Sequence, residues 1–94
     1  MKEMKEIKIS VPNELKGGVY ANNMVVSHTH EEFILDFLMV AHPEGVLNSR
    51  VIVSPGHIKR IFKALADNIK IYEDKFGTIK LAEEPKWKTF DSTP

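Results

Sequence analysis

The chain has no cysteine. Disulfide scaffolds, thiolate zinc sites and cysteine nucleophiles are therefore excluded. It has no excess of either charge: 13 Lys and Arg stand against 13 Asp and Glu. That balance argues against the broad basic field of a protein that tracks phosphates. It also lacks a long apolar run. The longest are Phe33-Ile34-Leu35 and, after Asp36, Phe37 to Ala41. Neither approaches the roughly 20 residues that span a bilayer. Charges interrupt the first residues, Met1-Lys2-Glu3-Met4-Lys5-Glu6-Ile7, where a signal peptide needs continuous apolar sequence. The expected compartment is cytoplasmic.

What is present suits one small globular domain over residues 1–94, with its core at about 5–81. Hydrophobic residues make up 43% and charged residues 28% of the 94, a mixture too apolar for wholesale disorder. Ile7, Ile9 and Val11 alternate with polar residues, the period-2 signal of a half-buried strand over 5–11. A second strand is predicted from about Val19 to Ser27. The third, Phe33 to about Val40, is apolar on both faces: Phe33, Leu35, Phe37 and Met39 on one, Ile34, Leu38 and Val40 with Asp36 on the other. Such a strand belongs at the centre of a sheet or at an interface. After a His42-Pro43-Glu44-Gly45 turn, a fourth strand runs from Val46 to Val53, with Leu47, Val51 and Val53 inward and Asn48 and Arg50 outward.

A helix is predicted from Pro55 to Phe76. Ser54 can cap its free amides, Pro55 suits the first position, and Gly77 suits the position after the end. Ile58, Phe62, Leu65, Ile69, Tyr72 and Phe76 form one stripe at alternating steps of four and three. Lys63–Asp67 and Lys70–Asp74 are opposite charges at i,i+4. The expected class is α+β: a four-stranded antiparallel meander followed by one long C-terminal helix packed on the sheet. Residues 85–94 read as a flexible tail.

Tyr20-Ala21-Asn22, Val25-Val26-Ser27-His28, Glu32-Phe33, Leu35-Asp36-Phe37, Arg50-Val51, Ser54-Pro55-x-His57 and Asn68-Ile69-x-x-Tyr72-Glu73-x-x-Phe76-Gly77 occur in that order. Together they resemble the DUF3467 family, small bacterial and archaeal proteins of uncharacterised function. The resemblance runs from about Gly18 to Ile79. It implies no reaction and no catalytic residue. His30 and Glu31 depart from the residues more usual in relatives.

Six features can carry chemistry or recognition. His28-Thr29-His30 puts two imidazoles on the same side of an extended chain, a partial zinc, nickel or copper site. It would need Glu31 or Glu32 and a further ligand such as His42 or His57; otherwise the segment is a polar turn between strands. His57, after Ser54-Pro55-Gly56, stands at a helix N-terminus that can attract an anion or simply be capped. Asp36 is a carboxylate in an apolar strand, with cross-strand Arg50 as its natural partner. Arg50, Lys59, Arg60 and Lys63 offer a nucleic-acid face, diluted by interleaved acids. Ile61, Ala64, Asn68 and Ile71 form a second helix row that either widens the core contact or meets a second subunit, and Trp87 in the tail can anchor on a partner or dock on the protein's own surface.

The resulting expectation is a non-enzymatic adaptor that works as a homodimer or higher homo-oligomer, without a cofactor and away from membranes. The alternatives are a nucleic-acid-associated regulator acting as a dimer, and a small metal- or ligand-binding protein centred on His28 and His30. Residues 11–54 carry five acids against two bases, and residues 55–76 five bases against three acids. Overall neutrality thus hides an acidic strand half and a mildly basic helix.

Overall fold

The structure, a computed structural model, describes residues 4–83. It is α+β. A short 3-10 turn, Asn13–Leu15, precedes three strands: β1 (Asn23–His28), β2 (Phe33–Ala41) and β3 (Glu44–Val53). One helix follows, α1 (Pro55–Phe76). The chain forms two units, one reaching to Lys59 and the other starting at Arg60.

The sheet is an antiparallel meander in the order β1-β2-β3. β2 is thus the central strand, one of the two places that its two apolar faces suggested. The register fixes those faces. Met24, Val26 and His28 lie opposite Phe37, Leu35 and Phe33. Phe33, Leu35 and Met39 lie opposite Val53, Val51 and Val46. All of these share one face, and Leu35 at its centre is the buried apolar side chain of the sheet. On the other face Asp36 pairs with Arg50, and Ile34 with Ile52.

The expected four strands are three. Residues 5–11 form no strand, and Ile7 and Ile9 are each 79% exposed. Alternation says which side chains a strand would bury; it does not provide a neighbour for the strand's amides and carbonyls. Among the described residues neither β1 nor β3 gains a partner on its outer edge.

β3 also differs from its expected facing. Phe37 pairs with Ser49, but Leu38 pairs with Leu47, so Asn48 is an extra residue between them. A β-bulge of this kind reverses the alternation beyond it. Leu47 therefore lies on the Asp36 face with Leu38, not with Val51 and Val53. The Asn48 side chain explains where the insertion is held: its Nδ2 donates to the Tyr20 carbonyl at 2.6 Å.

β1 starts at Asn23 rather than Val19. The residue before it extends the pairing by its side chain. Asn22 Nδ2 donates to the Val40 carbonyl at 2.9 Å, and Asn22 Oδ1 accepts from the Val40 amide at 2.9 Å. One side-chain amide thereby replaces a backbone pair at the end of the ladder. The β2–β3 turn is tighter than expected, at His42-Pro43 with a cis peptide bond, and Glu44 and Gly45 already belong to β3.

The helix keeps its predicted bounds because its end signals are local. Ser54 Oγ accepts from the His57 amide at 3.2 Å, and the Ser54 carbonyl accepts from Ile58 at 3.0 Å. At the other end Gly77 has φ +100°, open to glycine and strained for other residues, and donates to Glu73 at 2.9 Å. The Glu73 carboxylate then accepts from the Ile79 amide at 2.8 Å. No helix among the described residues is long and apolar enough to cross a membrane.

Candidate functional site

The β1–β2 turn holds the two histidines of the metal reading. Thr29 organises it: its amide donates to the Glu32 carbonyl at 2.9 Å, and its hydroxyl accepts from the Glu31 and Glu32 amides, each at 3.2 Å. His28 ends β1 with its ring stacked on cross-strand Phe33, centroids 5.2 Å apart. The exposed ring of His30 instead meets the Glu31 carboxylate at 3.1 Å. The turn occupies each histidine separately. Among the described residues, no three His, Asp or Glu side chains converge as metal ligands, and His42 and His57 complete no such set.

Asp36 and Arg50 meet as the strand pattern predicted. Arg50 Nε donates to Oδ1 at 2.6 Å, and its terminal nitrogen donates to Oδ2 at 2.9 Å. This two-pronged geometry matches guanidinium to carboxylate. The bonds from Arg50 hold the Asp36 carboxyl below its usual range, against an upward push from partial burial, with the Arg50 charge adding to the lowering. A carboxylate so held is a poor base, and its place is the middle of the sheet. The pair serves register: it ties β2 to β3 on the face where Leu38 and Leu47 cross the bulge.

The proposed basic face divides. Arg50 is engaged by Asp36, and Lys63 donates to Asp67 at 2.8 Å. Lys59 and Arg60 form no ion pair among the described residues. Lys70 is likewise tied to Asp74, at 3.0 Å. At the start of α1 the His57 amide is already satisfied by Ser54, so the N-terminus is capped by its own sequence.

The second helix row is present on α1. Asn68 bonds back to the Ala64 carbonyl at 3.3 Å, Ile61 is half-buried, and Ile71 is exposed. The main stripe ends in a ring pair, Tyr72 and Phe76, with centroids 5.0 Å apart. No residue of α1 is buried. Trp87 lies outside the described residues.

The sequence model of the DUF3467 family, described as proteins of unknown function, matches residues 1–81. The chain belongs to the DUF3467 family. That match reaches past the segment over which the quoted motifs ran, taking in the N-terminal residues as well. No curated protein and no solved structure matches this DUF3467 chain.

Two residues of this DUF3467 protein escaped the sequence reading. Asn22 and Asn48 tie the Tyr20-Ala21-Asn22 segment to β2 and β3 through side-chain-to-backbone bonds. The available signal was asparagine itself, a residue poor in strands and ready to bond backbone. Asn22-Asn23 stands directly before the Met24-Val25-Val26 run, and Asn48 stands between Leu47 and Ser49 in mid-strand. Both positions mark breaks in a ladder.

Proposed function

We propose that this DUF3467 chain is a non-enzymatic interaction module that works as a homo-oligomer, a second copy being its first partner. One observation carries the reading. Among the described residues Leu35 is the single buried large apolar side chain. Met24, Val26 and Ile52 on the sheet stay about half exposed, and Phe62 on the helix is 72% exposed. Isolated exposed apolar residues are ordinary, but contiguous rows of them mark association surfaces. The described polar groups favour the same reading: Asp36 is committed to Arg50, and the turn histidines to Phe33 and Glu31.

Light scattering on the purified chain tests the proposal. A mass of at least twice 10.7 kDa supports it, and a mass of 10.7 kDa at micromolar concentration overturns it.

A further inference from the structure

We infer that the second copy joins at the outer edge of β1, antiparallel, with the twofold axis beside Val26. This inference rests on the oligomer reading and adds the surface and the register.

The sheet has two edges, and they differ. β3 carries Arg50 and Glu44 and is interrupted by the bulge at Asn48. Charges and bulges are devices that keep an edge from pairing. β1 reads Asn-Met-Val-Val-Ser-His, with no lysine, acid or proline and no interruption against β2. An unblunted edge of this kind is a template for another strand.

The hydrogen-bond alternation selects the register. Thr29 donates to Glu32, which makes Thr29 and Glu32 a bonded pair just beyond the ladder. In an antiparallel ladder bonded and non-bonded pairs alternate. Ser27, Val25 and Asn23 therefore direct their amides and carbonyls to β2. His28, Val26 and Met24 direct theirs outward. These three positions are symmetric about Val26. An antiparallel copy that sets Val26 against Val26 also sets Met24 against His28 of the second copy, and His28 against its Met24. This register uses all three outward positions and makes about six backbone hydrogen bonds. A shift by two residues loses one pair or more. The contact is isologous, so it closes at two chains and forms a continuous sheet of six strands. It also brings the two Val26 side chains together on the face that holds Leu35.

The absence of cysteine makes the test clean. Val26→Cys places two thiols on bonded partners, whose Cα atoms lie about 5.5 Å apart, within disulfide reach. Met24→Cys places them four residues apart along the strands, roughly 14 Å, beyond reach. Under mild oxidation Val26→Cys should form a covalent dimer on the order of tenfold faster than Met24→Cys. A dimeric wild type in which Val26→Cys cross-links no faster overturns the β1 edge and leaves the oligomer reading standing. A wild-type mass of 10.7 kDa overturns both. Amide exchange on the unsubstituted chain gives a second readout. Dilution should speed exchange at Val26 more than at Val25; equal responses overturn the register.

Discussion

Replacing Asn22 by alanine should weaken the sheet at the point where β1 leaves β2. The side chain makes two bonds to Val40, both at 2.9 Å, one donated and one accepted. Each ordinary intramolecular bond contributes about 0.5–1.5 kcal/mol net. Asn22 is exposed, so water replaces both partners in the variant, and the lower half of that range applies. The expected loss is about 1–2 kcal/mol. With a urea slope of about 1 kcal/mol per molar for a small domain, the midpoint falls by about 1–2 M. Wild type and variant must be compared at one protein concentration, since the proposed association would make apparent stability depend on it. Asn22→Asp separates the two bonds. It retains the acceptor for the Val40 amide but loses the donor and sets a carboxylate against the Val40 carbonyl. Exchange at the Val40 amide should therefore be fast in Asn22→Ala and slow in Asn22→Asp, while both variants lose stability. An Asn22→Ala variant within about 0.5 kcal/mol of wild type, the usual range for a surface substitution, would refute the reasoning. So would an Asn22→Asp variant as stable as wild type.

Two other perturbations test the local chemistry. Asp36 titrates below its ordinary value in the folded chain because Arg50 bonds it, so the unfolded chain binds its proton first as pH falls. The stability that Asp36 contributes should be complete above about pH 5 and lost progressively below about pH 4. Urea midpoints for wild type and Asp36→Asn should differ by a constant amount at neutral pH and converge on acidification; a gap that widens toward low pH contradicts the assignment. Ser54→Ala removes the acceptor for the His57 amide and should cost about 1 kcal/mol, whereas Ser54→Asp should retain most of it. Equal loss in the two variants, read by circular dichroism during urea unfolding, would show that Ser54 acts by something other than capping.

The helix was legible because its end signals act within a few residues. Ser54 meets an amide three positions on, and Gly77 supplies its own positive φ. β2 was legible in part: apolar residues on both faces pointed to the centre of a sheet or to an interface, and its pairing with both β1 and β3 makes it the central strand. The Asp36–Arg50 pair followed, since two mid-strand residues joined by one turn face each other. The family resemblance was legible from the order and spacing of its motifs. The misses share one cause. Strand formation over 5–11 needs a neighbour, and alternation cannot supply one. The facing of Leu47 depends on a bulge held by Asn48 through Tyr20, 28 residues away.

The same distinction bears on β1. Its composition declares a strand, but only the pairing of Asn23–His28 with Phe33–Leu38 shows which of its amides are already used. A strand's sequence specifies its two faces, above and below the pleat; its neighbours specify its two edges. In this protein the faces carry apolar rows that continue past what one chain buries, and the uncharged edge carries three outward residues in self-complementary array. A second copy at β1 extends the first feature by satisfying the second. Pairing at the charged, bulged edge of β3 would instead have to accommodate Asn48, whose side chain already holds Tyr20. Edge chemistry therefore favours closure at two chains over open-ended strand addition, which would require both edges to be receptive.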